Sequence, residues 1–183
     1  MQKVFYFDQS KCIGCFACTV ACKDWHDIQD TRVHWLKLLT LENGKFPDVS
    51  VHFLLMNCFH CAVPACKEAC PANAITKRPE DGIVVIDAER CLGKDKCDLC
   101  LQACPYGIPQ FGSEPNAKAQ MCHFCSARWA DNRKPVCVEA CPVDALDAGP
   151  MDELQARYGS IRSAVGFDYD AKLQPSVIFK PGA

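Results

Sequence analysis

The chain has 183 residues, a formal net charge of −2 and 16 cysteines. Its length allows one or two small domains, and its charge gives no electrostatic footprint for nucleic acid. Cysteine at this density marks a disulfide scaffold or a metal protein.

Met1–Ser10 lacks a long apolar core, a small-residue cleavage site and a twin-arginine pair. No stretch approaches the roughly 18 apolar residues needed to span a bilayer. The expectation is a soluble chain with no signal of its own. It would be cytoplasmic, or carried to the extracytoplasmic face of a membrane by co-export with a partner. Cytosolic thiols stay reduced, which leans against disulfides.

Val4–Asp8 is apolar and aromatic, and short enough for a strand. It leads into Cys12-x2-Cys15-x2-Cys18-x3-Cys22. Cys15–Trp25 reads as a helix, which can continue because Lys23, not proline, follows Cys22. Asp30–Met56 has no cysteine. Within it Val33–Leu41 and Val49–Met56 are β-compatible, and Glu42-Asn43-Gly44-Lys45 is a turn signal. This stretch is expected to be an inserted hairpin outside the cysteine core, and a candidate docking surface.

The second run is Cys58-x2-Cys61-x4-Cys66-x3-Cys70, followed by Pro71. Glu80-Asp81-Gly82 predicts a turn between a short strand near Ile75 and one at Ile83–Asp87. The third run is Cys91-x5-Cys97-x2-Cys100-x3-Cys104, followed by Pro105. The fourth is Cys122-x2-Cys125, then an 11-residue loop, then Cys137-x3-Cys141 and Pro142. That loop holds Arg128, Trp129, Asp131, Arg133 and Lys134 and is expected to be exposed. Pro150–Tyr158 carries helix start and stop signals, with acidic residues in its first turn and Gly159 after it. Ser176–Phe179 is a candidate last strand.

C-x2-C-x2-C-x3-C is the ligand run of bacterial-type ferredoxins, whose thiolates hold iron–sulfur clusters. Zinc is the alternative, but four-cysteine zinc sites usually come as two C-x2-C pairs. Four quartets, three of them ending in Cys-Pro, favour iron–sulfur. Each quartet has the four thiolates of a 4Fe–4S cluster, and no cysteine is left over.

In two-cluster ferredoxins the last cysteine of a run ligates the other cluster. The second and third runs, joined by a short hairpin, are expected to pair. One cluster takes Cys58, Cys61, Cys66 and Cys104; the other takes Cys70, Cys91, Cys97 and Cys100. The first and fourth runs then pair over long range. One cluster takes Cys12, Cys15, Cys18 and Cys141; the other takes Cys22, Cys122, Cys125 and Cys137. The expected fold is α+β, with two nested ferredoxin-like modules. Residues 1–30 and 106–150 form the outer module, 31–56 the hairpin, 57–105 the inner module and 151–183 a carboxy-terminal extension.

The chain resembles the iron–sulfur electron-transfer (beta) subunit of the dimethyl sulfoxide reductase family of molybdenum and tungsten enzymes. The resemblance runs from about Phe5 to the end. It is carried by Phe7–Cys12 through Cys22-Lys23-Asp24, by Cys58-x2-Cys61-x4-Cys66 with Cys70-Pro71, by the Lys77–Asp87 hairpin, and by Lys134–Pro142 continuing to Pro150. The x5 gap after Cys91 departs from the family pattern, where x2 is usual. The resemblance implies four 4Fe–4S clusters and docking on a large molybdopterin-type subunit. It also implies electron transfer to a membrane anchor or another redox partner.

No nucleophile triad, phosphate loop or carboxylate pair suggests catalysis, so the chain is expected to be a non-catalytic subunit. A polyferredoxin-type adaptor of a formate dehydrogenase or hydrogenase is the alternative. A zinc-stabilised interaction protein is the alternative of another class. His60 and His123 lie inside C-x2-C loops, either tuning a cluster or simply exposed. His26, His34 and His52 are expected at the surface or at a partner contact. Lys11, Lys23, Lys67 and Lys96 flank cysteines, and either offset cluster charge or are merely solvated. Trp25, Trp35 and Trp129 are read as packing or interface residues.

Overall fold

The first strand, β1 (Lys3–Asp8), is the centre of the main sheet, whose order is β8-β1-β9. Val4, Phe5, Tyr6 and Phe7 are all buried, as a strand covered on both faces requires. β8 (Leu146–Pro150) runs antiparallel to it, with Phe5 opposite Ala148. β9 (Val177–Lys180) runs parallel, with Phe7 opposite Phe179. Successive side chains point to opposite faces. Phe5 and Phe7 therefore enter the larger core, while Val4 and Tyr6 pack with Leu154 of α6 (Met151–Tyr158). The Tyr6 and Tyr158 rings stack with centroids 3.8 Å apart.

The computed structural model describes residues 1–182; the last residue of the expected extension, Ala183, lies outside them. Among the described residues there are six helices and nine strands, a mixed α+β fold of small sheets. α1 (Ala17–Trp25) packs on α5 (Val136–Glu139), and α2 (Ala65–Glu68) on α3 (Leu99–Ala103). β4 (Ile75–Lys77) and β5 (Val84–Ile86) form the hairpin expected between the second and third runs, with Ile75 opposite Ile86. A small pair, β6 (Gln110–Phe111) and β7 (Ala119–Gln120), precedes the fourth run.

The cysteine-free hairpin is β2 (Leu36–Lys45) with β3 (Asp48–Asn57). Its turn is Phe46-Pro47, so Glu42–Lys45 is strand and not the expected turn. A two-residue turn at Asn43-Gly44 would pair Leu36 with Val51 and leave the Leu54–Leu55 end without a partner strand. The observed register pairs Leu38 with Leu55 and Leu39 with Leu54, at the buried end of the hairpin. Gly44 serves the turn from inside β2: at φ +90° it admits the Asp48 carbonyl, which a β-carbon would meet at 2.0 Å. The outer half of the hairpin is exposed, with Phe46 at its tip 92% accessible.

The loop in the fourth run is also not what its charge suggests. Ser126–Ala130 is a short helix, α4, and Arg128 is only 3% exposed. Its donors are met internally: Nε bonds Lys134 O at 2.7 Å, and Nη2 pairs with the Glu139 carboxylate. Its guanidinium also lies 4.5 Å from the Trp25 ring centroid. Asp131, Arg133 and Lys134 are exposed as expected.

Candidate metal centre

Two backbone devices aim the sulfurs. In each C-x2-C that opens a run, the residue before the second cysteine is left-handed: Gly14 (φ 68°), His60 (φ 45°) and Phe124 (φ 61°). That conformation turns the backbone sharply between the two cysteines; it is uncommon for histidine or phenylalanine. After each Cys-Pro a second left-handed residue reverses the chain: Asn73 (φ 47°), Gly107 (φ 58°) and Asp144 (φ 49°). Asn, Gly and Asp tolerate this region best. Their N–H groups bond back to the carbonyls of Cys70 (3.1 Å), Cys104 (3.0 Å) and Cys141 (3.4 Å).

Cys12, Cys15, Cys18 and Cys141 line one cavity, whose other walls are apolar, among them Phe7, Leu38 and Val143. Cys70, Cys91, Cys97 and Cys100 line a second, walled by Ile75, Ile86 and Phe111. The other eight cysteines fall into two neighbourhoods. Burial, then nearby Cys122 and Cys125, raises the Cys22 thiol, and burial with Cys122, Cys125 and Cys22 raises Cys137. Burial, then Cys104, Cys61 and Cys100, pushes Cys66 up to about 12. Cys58 is raised by burial and by Cys122, Cys66 and Cys61.

Buried thiols this close resist ionisation, so four thiolates together call for a cationic centre. The donors fit an iron–sulfur cluster: sulfur only, standing around a cavity within apolar walls. Among the described residues no three His, Cys, Asp or Glu side chains gather closely enough to hold a single ion. Backbone N–H groups also reach the sulfurs. Ala74 N donates to Cys70 Sγ and Ala145 N to Cys141 Sγ, both at 3.3 Å. Ala119 N donates to Cys91 Sγ and Phe124 N to Cys122 Sγ, both at 3.4 Å. Donors of this kind stabilise negative charge on the ligand.

Of four polar residues near the sulfurs, only His60, inside its C-x2-C loop, carries a sequence signal of its position. His60 is 1% exposed and not a surface histidine. Its Nδ1 accepts the Val84 N–H at 3.0 Å, and burial, with Lys77 and His123 nearby, lowers its pKa to about 3. Lys77 Nζ donates to the carbonyls of Cys61 (2.9 Å), His60 (3.2 Å) and Gly82 (2.7 Å), knotting the second-run loop. Asn57 is buried, with its side-chain amide beside Cys122. His26, expected at the surface, places Nε2 3.3 Å from Cys125 Sγ; burial, His123 and Arg128 lower its pKa to about 4.

The flanking lysines divide. Lys23 is a strap, donating to Asp30 O (2.8 Å) and Val33 O (3.0 Å), and Lys67 pairs with Glu68 at 3.1 Å. Two of the tryptophans pack: Trp35 Nε1 donates to Gln120 Oε1 at 2.9 Å and Trp129 Nε1 to Phe124 O at 3.1 Å, while Trp25 is half exposed.

Residues 49–151 match a family described as a 4Fe-4S dicluster domain. The sequence is 37% identical to one polypeptide of the anaerobic dimethyl sulfoxide reductase of Escherichia coli, over all of this chain and 90% of the relative. It is 37% identical to the thiosulfate reductase electron transfer subunit of Salmonella typhi, over 83% of this chain and 78% of the relative. It is 32% identical to one polypeptide of the sulfite dehydrogenase of Allochromatium vinosum, over 83% of this chain and 70% of the relative.

Proposed function

This protein belongs to the iron–sulfur electron-transfer subunits of the dimethyl sulfoxide reductase family, and we propose that it links a molybdopterin-type catalytic subunit to a membrane-bound or soluble redox partner. Carrying four 4Fe–4S clusters, it is not itself the catalytic subunit. Each cluster, when bound, supplies reversible one-electron transfer.

The ligands proposed are Cys12, Cys15, Cys18 and Cys141; Cys22, Cys122, Cys125 and Cys137; Cys58, Cys61, Cys66 and Cys104; and Cys70, Cys91, Cys97 and Cys100. The observation that carries the reading is the order in which these sets neighbour one another. Cys18 lies near Cys22 and Cys137, Cys122 near Cys58, and Cys66 near Cys100. Each set thus has a cysteine close enough to the next set to feel its charge. Apolar walls exclude water, and backbone N–H groups offset the thiolate charge.

This arrangement supports two nested modules, an outer one from residues 1–30 and 106–150 and an inner one from 57–105. The end sets face exposed apolar groups. Ile13 (61% exposed) stands beside the first set and Leu92 beside the last. We assign one of these faces to the catalytic subunit and the other to the redox partner. The described residues hold no helix long and apolar enough to cross a membrane. Placement in the cytoplasm, or outside it by co-export, is set in this proposal by the partner.

The test is anaerobic co-purification followed by an EPR-monitored redox titration. A molybdopterin-containing partner and four reducible 4Fe–4S centres per chain are expected. A stable monomer that reduces no partner overturns the reading.

A further inference from the structure

His26 ties together two cysteines that come from opposite ends of the sequence. It follows α1, and its backbone N–H bonds the Cys22 carbonyl at 3.3 Å. Its ring crosses to the fourth run, where Nε2 stands 3.3 Å from Cys125 Sγ. The ring is wedged in place. Trp35 packs on it at 4.8 Å between centroids, and His123 meets it edge-on, also at 4.8 Å. Trp35 is itself anchored through Nε1 to Gln120 Oε1 at 2.9 Å.

A ligating thiolate has no proton and can only accept a hydrogen bond. At this distance the Nε2 that faces Cys125 must therefore carry the ring proton. We propose that His26 is a positioning and potential-setting residue: its Nε2–H donates to Cys125 Sγ and raises the reduction potential of the cluster held by Cys22, Cys122, Cys125 and Cys137. This rests on the assignment of those four cysteines to one cluster. Reduction adds one negative charge to the cluster and its thiolates. A donor fixed on one thiolate stabilises the more negative state more strongly, so reduction becomes easier. The wedge of Trp35 and His123 keeps the donor aimed without reorganisation.

The test uses the assembled complex, with potentials followed by EPR. His26→Phe, which keeps an aromatic ring but no donor, is expected to lower one potential of the four. The affected signal should be the one that Cys125→Ser alters. His26→Gln, which keeps an N–H donor, should shift that potential less. Four unchanged potentials, a shift in a different signal, or an equal shift in His26→Gln each overturn the proposal. If His26→Phe fails to assemble, the unaltered complex labelled with 15N-histidine decides. A histidine nitrogen coupled to the reduced cluster is expected, and its absence overturns the proposal. The cysteine assignment is checked apart from this: Cys22→Ser and Cys125→Ser must alter the same signal. If they do and His26→Phe leaves that signal unmoved, the assignment stands and the role of His26 falls.

Discussion

Gly14 lies beneath the Phe53 ring, so close that a β-carbon on it would stand 2.3 Å from Phe53 Cζ. The hairpin thus presses on the loop of the first cysteine run, and the glycine meets two demands at once: the contact and a φ of +68°. Gly14→Ala is expected to destabilise the fold by about 1–3 kcal/mol through strain of this kind. Adding Phe53→Ala should relieve the clash but not the φ penalty, recovering part of the loss. Denaturant midpoints of the single and double variants measure this. Full recovery would mean that backbone conformation is not a constraint there.

Crossed ligation is tested at Cys141. Cys141→Ser should alter the cluster held by Cys12, Cys15 and Cys18 and leave the one held by Cys122, Cys125 and Cys137 with all its ligands. EPR of the two signals reads the result, and the reverse pattern would require a different partition.

Val84 offers its N–H to a single buried acceptor, His60 Nδ1. His60→Phe keeps the ring volume and removes the acceptor. An orphaned buried N–H costs about 1–3 kcal/mol. The expected result is a lower melting temperature, with faster hydrogen exchange at the Val84 amide. Unchanged exchange there would show that another group takes the bond.

Asp147 is buried under α6 and contacts Lys134, Arg157 (3.4 Å), Tyr158 Oη (2.8 Å) and the Ala148 N–H (2.7 Å). Burial alone would raise its pKa, but the Lys134 and Tyr158 hydrogen bonds and the Ala148 N–H outweigh it, leaving the carboxyl below the usual range. Its folded pKa is therefore lower than its unfolded one. The stabilisation is complete above about pH 4, the unfolded value, and is lost as pH falls through the folded value. Unfolding free energies measured from pH 6 to pH 3 should fall less steeply in Asp147→Asn than in the unaltered chain. Parallel slopes would remove Asp147 from the acid response.

The cysteine spacing marks the sulfurs that line the two cavities, and apolar runs name β1, the Ile75 hairpin and β9, because those signals are local. The left-handed Asn73 and Asp144 escape the sequence reading, because nothing in the Cys-Pro spacing names the residue that reverses the chain. What the chain hides is set by distant partners. Nothing near Arg128 announces that Lys134 O and Glu139 will bury it. Nothing near His26 announces Cys125, 99 positions away. The Asn43-Gly44 signal misplaces a turn because the buried end of the hairpin, not the turn residues, sets the register.

The central position of β1 has a consequence for biosynthesis. Phe5 pairs with Ala148 on one side and Val177 on the other. β1 therefore has no sheet until β8 and β9 have been made. Contacts so distant in sequence form late and slowly. Until then the amino-terminal thiols are exposed to oxidants and stray metals. The cavity at Cys12 is likewise open on one side until Cys141, far along the chain, has been made and folded against it.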